Sequence, residues 1–323
     1  MVDATSRLRI VFFGSPEFAV PTLEALLHSR HQVVAVVTQP DRPRGRGQRV
    51  QVGPVKTVAL SAGLPVLQPH SLKDPAFLDE LAGTLPDLGV VAAYGKLLPE
   101  SLLALPALGM INVHASLLPK YRGAAPVHRA VAAGEPETGV SIMRVVKALD
   151  AGPVLATVRR PIGPDETSVE VERGLASLGA RLLVETVDRL TVEPVTEVPQ
   201  DDQAATYASR LAKEDGAVRW GQTAVAIHDL IRAMHPWPHA YGFLHGKRLI
   251  LLKSSTIGAL SSEPPGTIVE AHGEHLHVAT GEGVLRIHEL QAEGSRAMST
   301  RDFLSGRHVR RGDGFMPAPS TGS

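Results

Sequence analysis

Short apolar runs alternate with stretches of helical period through the first half of this chain, and few architectures tolerate that order. The run Leu8 to Phe13 ends at Gly14-Ser15-Pro16, and Glu17 to Leu27 then sets Phe18, Leu23, Leu26 and Leu27 near a 3.6-residue spacing. Val33 to Val37 reads as a second buried strand. Val55 to Leu60, behind a proline suited to a first helical turn, reads as a helix, and Leu88 to Ala93 and Met110 to Val113 read as further strands. Buried strands separated by helices pack as a doubly wound, mostly parallel α/β sheet of Rossmann-like type. In such sheets a ligand sits at the carboxyl ends of the strands, so the residues just after Phe13, Ala93 and Val113 are where chemistry is expected.

The pattern changes in the second half. Ser168 to Leu190 is a long amphipathic stretch that closes the first domain, expected over residues 1–190. Thr191 to Thr206 is poor in apolar residues and carries two prolines and two aspartates, which reads as a linker. From residue 207 to 314, one helix candidate (Ala224 to Met234) is followed by glycine-separated strands at Arg248 to Leu252, Gly266 to Val269, His275 to Ala279 and Val284 to Leu290. These predict a smaller β-barrel of OB-like character, with residues 315–323 as a flexible tail. Within it Trp220 and Trp237 read as core residues.

Charge and composition exclude several function classes. The 33 basic and 33 acidic residues cancel, so a polyanion must be met by a local patch and not by the overall field. No apolar run approaches the roughly 20 residues needed to span a bilayer. There are no cysteines, which removes disulfides, thiolate metal sites and cysteine nucleophiles. Only a few residues precede the first apolar run, too few for a secretory signal, and the expectation is a cytoplasmic protein. With no heptad or interface stripe, the expectation for assembly is a monomer. The densest charge cluster is a glycine-rich loop carrying Arg42, Arg44, Arg46 and Arg49 against one aspartate, Asp41. Four guanidiniums so close together can neutralise several phosphates, although a solvated surface loop is the ordinary fate of a charge run.

Asn112 and His114 stand two apart on a predicted strand end, so both project from one face into one cleft. An amide donor beside an imidazole can stabilise an oxyanion while a proton moves. A carboxylate, Asp150, follows the apolar run Val140 to Val146, where a neighbouring strand can return it to the histidine. Taken singly, His114 reads equally as a satisfied strand-end histidine and Asp150 as a turn residue before Gly152. His114, His128 and Asp150 are also conceivable metal ligands, without a tight His-x-x-x-His pair to support them.

The surrounding residues decide between these readings. Asn112-Val113-His114-Ala115-Ser116-Leu117-Leu118-Pro119, continued by Leu149-Asp150-Ala151-Gly152-Pro153, closely resembles the folate-dependent formyltransferases. The segments Phe13 to Phe18, Thr38 to Pro43, Ala93-Tyr94-Gly95, Arg122 to Pro126, Lys213 to Asp215 and Pro236-Trp237-Pro238 resemble the branch of that family acting on charged initiator tRNA. Departures are small: Ser15, Ala115 and His235 stand where the family often has threonine, glycine and asparagine. The resemblance implies formyl transfer from 10-formyltetrahydrofolate to a methionyl amino group, with Asn112, His114 and Asp150 catalytic and no metal required. It also implies that Ser116, Leu117, Leu118 and Pro119 bind the folate, chiefly through backbone groups. Tyr94 and Gly95, at the end of the preceding strand, either line the same cleft or merely pack there. The resemblance places the arginine loop against the acceptor end of the tRNA. Lys213, Arg232, Lys247, Arg248 and Lys253 are the candidate phosphate contacts of the second domain. A formyltransferase for a small free amine, a non-catalytic RNA-binding relative and a hydrolase of the same folate are the rival expectations.

Overall fold

The computed structural model describes residues 7–41, 43–44, 49–50, 52–192, 194–259 and 261–316. They form two compact units, each discontinuous in sequence. One comprises the chain up to Pro126, Glu137–Arg160 and Glu172–Ala208; the other comprises Val127–Pro136, Pro161–Val171 and the chain from Ser209 onward.

The first unit is built on a seven-stranded sheet. Its strands are β1 (Arg9–Gly14), β2 (Gln32–Val37), β3 (Val66–Leu67), β4 (Leu88–Ala92), β5 (Met110–His114), β6 (Glu137–Arg144) and β7 (Val154–Pro161), ordered β7-β6-β5-β4-β1-β2-β3. The pairs β1–β2, β1–β4, β2–β3 and β4–β5 are parallel, while β6 runs antiparallel to β5. Every residue of β4 is buried, as a central strand covered on both faces requires. Helices α1 (Val20–Leu27), α2 (Pro54–Ser61), α3 (Pro75–Gly83) and α4 (Ser168–Leu190) supply the cover. Asp74 caps α3 by accepting from the Ala76 amide at 3.1 Å, and prolines open α2 and α3 where an amide hydrogen would have no helical partner.

The expected strands are therefore present, within a residue or two at each end. The sheet has two further edges: β3, too short to show a pattern, and β7, whose alternation of half-buried and exposed residues marks a strand with one wet face.

The second unit joins helix α5 (Ala224–Ala233) to an antiparallel sheet of β8 (Ala240–Leu244), β9 (Lys247–Ile257), β10 (Ile268–His272), β11 (His275–Ala279), β12 (Val284–Ala292) and β13 (Phe315–Met316). The order is β10-β11-β12-β9-β8-β13. Its two ends meet: the amide of Ile268 donates to Asp313 at 2.7 Å and that of Phe315 to Gly266 at 2.8 Å. The sheet so curls into a barrel, which protects its edges. Inside lie Ile227, Ile231, Leu251, Leu276, Val278, Leu285 and Ile287, with Trp220 tilted over Phe315 at a centroid distance of 4.6 Å. Trp237, expected in the core, is instead 49% exposed, whereas Trp220 is 6% exposed. Trp237 lies in a turn between two prolines, outside any helix or strand whose packing would cover the ring.

Among the described residues no helix is long and apolar enough to cross a membrane.

Candidate active site

Strand β5 ends in a bend that gathers the predicted catalytic residues. Its antiparallel neighbour β6 pairs Asn112 with Met143 and His114 with Ser141, and the loop that follows β6 brings Asp150 back beside His114. His114 is 5% exposed. Its Nε2 lies 3.0 Å from the carbonyl oxygen of Tyr121, and its Nδ1 lies 3.7 Å from Asp150 Oδ2. A backbone carbonyl only accepts, so the nitrogen facing Tyr121 carries a hydrogen and donates it. That leaves Nδ1 as the nitrogen turned to the carboxylate. The 3.7 Å gap exceeds a hydrogen bond and is of the kind that tightens when substrate enters. The group that fixes the imidazole is thus the Tyr121 carbonyl, which sequence reading did not anticipate.

Asp150 is held from several sides. Its backbone is left-handed, with φ of 48°, a conformation aspartate tolerates better than most residues. Its Oδ2 accepts the amide hydrogen of Gly123 at 2.8 Å. Gly123 has φ of 119°, and a Cβ there would stand 2.7 Å from the carbonyl oxygen of Ala208, so the donor must be glycine. From the other side Gln200 donates to the carbonyls of Asp150 and Gly152 at 2.8 and 2.7 Å. The Gln200 carbonyl oxygen accepts from Arg122 Nε at 3.0 Å, and the buried Arg122 also reaches Asp202 at 2.8 Å.

The stretch around Gln200 reads from sequence as a linker. In the structure Val198 bridges Val154, Thr206 accepts the amides of Tyr121 and Arg122, and Tyr207–Ala208 pairs in parallel with Arg122–Gly123. It is laced onto the turn that carries Tyr121 and Gly123.

The predicted folate segment forms a tight, Pro-containing turn after His114. Ser116 is fully buried and its hydroxyl donates to the Lys120 carbonyl at 2.7 Å, while Ser141 donates to Ser116 O at 2.8 Å and accepts from the Leu118 amide at 3.2 Å. The Ser116 side chain therefore shapes the turn, its one hydrogen committed to the Lys120 carbonyl. Leu117, Leu118 and Pro119 are half-buried and line the turn's open side.

Tyr94 is 1% exposed, packed edge-on to Phe13 with centroids 5.6 Å apart. Burial pushes its phenol up to about 12, and the hydroxyl has no hydrogen-bond partner among the described residues. The ring is core, and what the strand end presents is backbone: Gln39 donates to Tyr94 O at 2.7 Å, beside Gly95.

Of the arginine loop, Arg42 and Arg46 lie outside the described residues, and Arg44 and Arg49 pair across a two-residue ladder. Its root is fixed. Lys56 bonds Asp41 at 2.5 Å and Gln68 at 2.6 Å, and Gln68 reaches Asp41 and Gln39. The hydrogen bond from Lys56 holds the Asp41 carboxyl below its ordinary value.

In the second unit Lys213, Lys247 and Lys253 are exposed, and Arg248 lies over the Tyr241 ring at 4.0 Å. Arg232 departs from expectation: it is 6% exposed, with its guanidinium committed to Asp229 at 2.7 Å and to the Glu166 carbonyl at 2.8 Å. Helical spacing sets Arg232 on the buried face of α5, so it braces the unit and has no face left for phosphate.

A buried imidazole, an amide two residues before it and a carboxylate nearby share one strand-end turn, a set that suits several chemistries. Family comparison narrows it. The formyl transferase family matches residues 8–187 and its C-terminal domain matches residues 210–308; the chain belongs to the formyl transferase family. Among its relatives, the methionyl-tRNA formyltransferase of Caldanaerobacter subterraneus is 47% identical over 94% of this chain and 99% of its own length. That of Methylococcus capsulatus is 46% identical over 92% and 96%. Two solved structures share the fold at lower identity. The N-formyltransferase from Helicobacter canadensis, in complex with folinic acid and dTDP-3-aminofucose, has a TM-score of 0.67 at 18% identity, covering 88% of this chain and 99% of its own. HypX from Aquifex aeolicus in complex with tetrahydrofolic acid has a TM-score of 0.62 at 17% identity, covering 97% of this chain, which spans 51% of HypX.

Proposed function

We propose that this chain transfers the formyl group of 10-formyltetrahydrofolate to the α-amino group of methionyl initiator tRNA, acting as a cytoplasmic monomer. The observation that carries the reading is the joint placement of Asn112, His114 and Asp150 at one strand end, in a chain whose near full-length relatives are methionyl-tRNA formyltransferases.

The chemistry follows from the geometry. The neutral amine of the methionyl ester attacks the formyl carbon, a C–N bond forms, and negative charge gathers on the formyl oxygen. Asn112 presents an N–H donor to that oxygen, and His114, two residues on along β5 with Nδ1 facing Asp150, adds a second when that nitrogen takes up a proton. Asp150, steadied by the Gly123 amide, takes the proton that the attacking nitrogen must shed. The proton then passes to the folate nitrogen as its bond to the formyl carbon breaks. No covalent enzyme intermediate is needed, because the amine is already a good nucleophile; positioning and charge stabilisation supply the rate. The Ser116 to Pro119 turn offers backbone groups to the folate, and Arg42, Arg44, Arg46 and Arg49 meet the acceptor stem. Exposed Lys213, Lys247 and Lys253 with Arg248 extend the phosphate contacts.

The test incubates the full chain with 10-formyltetrahydrofolate and charged initiator tRNA, charged elongator tRNA or free methionine. Initiator tRNA is expected to be formylated fastest by a wide margin. Equal turnover of free methionine would show that the acceptor is a small amine. Arg42→Ala is expected to raise the KM for tRNA and leave that for folate unchanged, whereas Asn112→Ala and His114→Ala abolish turnover while tRNA still binds.

A further inference from the structure

The hairpin of β10 and β11 carries four potential metal-binding side chains on one surface. In its register Glu270 lies opposite His277, and His272 opposite His275. Leu276 and Val278 point into the barrel core, so the intervening His275 and His277 point outward. Simple alternation from the buried Ile268 would place Glu270 inward with it. The register slips between Ile268 and Glu270, and this bulge brings Glu270 opposite His277 on the outer face.

One ligand atom from each of Glu270, His275 and His277 lies within 4.8 Å of the other two. Around a tetrahedral zinc ion, donors about 2.0–2.1 Å from the metal are separated by roughly 3.4 Å, so small side-chain rotations close the set. Two donors are unspent: His275 Nδ1 and His277 Nε2 are buried without a hydrogen-bond partner among the described residues. The Glu270 carboxylate stands between imidazoles, 2.6 Å from His277 and 2.8 Å from His272. Arg286, across from His277 on β12, adds a positive charge that the carboxylate offsets. A carboxylate at the centre of the group repels an anion and suits a cation.

We propose that Glu270, His275 and His277 form a binding site for a zinc-class divalent transition metal, with the exposed His272 or water completing the coordination. An N/O donor set of this kind suits zinc or its neighbours in the first transition row. The ion clips the two strands of the hairpin together on the outer face of the barrel. Its ligands include none of the residues assigned to formyl transfer, and it takes no part in that reaction.

The test uses tag-free full-length protein, stripped with chelator and titrated with zinc chloride against a chromophoric competitor at pH 7.5. The wild type is expected to take up one zinc per chain, saturating at roughly micromolar free metal. Glu270→Gln and His275→Ala are each expected to weaken uptake at least tenfold, while the exposed control His308→Ala leaves it unchanged. Zinc should raise the melting temperature of the wild type and not that of Glu270→Gln, whose metal-free melt reports that it still folds. Absence of zinc uptake by the wild type, or uptake unaltered in both ligand variants, overturns the proposal.

Discussion

Among the described residues Gln200 makes no hydrogen bond to the His114 imidazole or to the Asp150 carboxylate oxygens, and it offers the sharpest test of how that pair is held. Gln200→Ala removes two hydrogen bonds to the carbonyls of Asp150 and Gly152 and the acceptor for Arg122 Nε. Each neutral bond contributes about 1 kcal/mol net, and the bond to the guanidinium about 1.5–3 kcal/mol. Gln200 is half-buried, so water recovers part of this. The left-handed backbone of Asp150, disfavoured by about 1 kcal/mol, is then less firmly imposed. A net loss of about 1.4–2.8 kcal/mol in the preference for the productive loop corresponds to a roughly tenfold to hundredfold fall in kcat. The KM values for folate and tRNA should stay within about twofold, since no binding group is removed. Initial rates of formyl-methionyl-tRNA formation at saturating substrates measure this, alongside a thermal melt. Gln200→Glu keeps an acceptor for Arg122 and removes both donors, so its kcat should fall at least as far. A kcat for Gln200→Ala within twofold of wild type would refute the positioning role; a fall there without one in Gln200→Glu would assign the effect to Arg122.

Three further outcomes are expected. Tyr94→Phe removes a buried hydroxyl without a hydrogen-bond partner among the described residues, so stability should hold or rise and turnover should persist; a large rise in folate KM would show that the phenol meets the ligand. Trp220→Ala should destabilise the second unit by about 3–5 kcal/mol in denaturant unfolding, whereas Trp237→Ala should leave stability nearly unchanged. Burial lowers His31, His128, His239, His277 and His288 below the ordinary histidine value, so their stabilising contribution is complete above about pH 6.5 and lost as pH falls through that value toward their folded values. Melting temperature should therefore rise between pH 5.5 and 7.5, and a flat or opposite trend in that window would contradict these burial effects.

The central strands were legible because burial on both faces leaves no room for polar residues: the run at β4 announces itself. Asn112 and His114 were legible for the converse reason, as polar groups at the end of such a run. What stayed hidden was carried by backbone atoms and by distance along the chain. A carbonyl such as that of Tyr121 has no letter in a sequence, and Gln200 meets Asp150 across fifty positions with no periodicity to link them. Arg232 misled because a cation in a sequence looks the same whether it faces water or a buried aspartate. The bulge that turns Glu270 outward likewise belongs to the pairing of two strands and to neither strand alone.

The lacing of residues 198–208 onto the Tyr121–Gly123 turn bears on where the chain tolerates change in length. Extra residues near Pro194 or Val195 fall before the first bridge at Val198 and should be absorbed. A single residue inserted between Gln200 and Thr206 would shift either the amide that holds the Asp150 loop or the carbonyl that receives the Arg122 amide. The same connection is therefore permissive along one short reach and as intolerant of insertion as a core strand along the next.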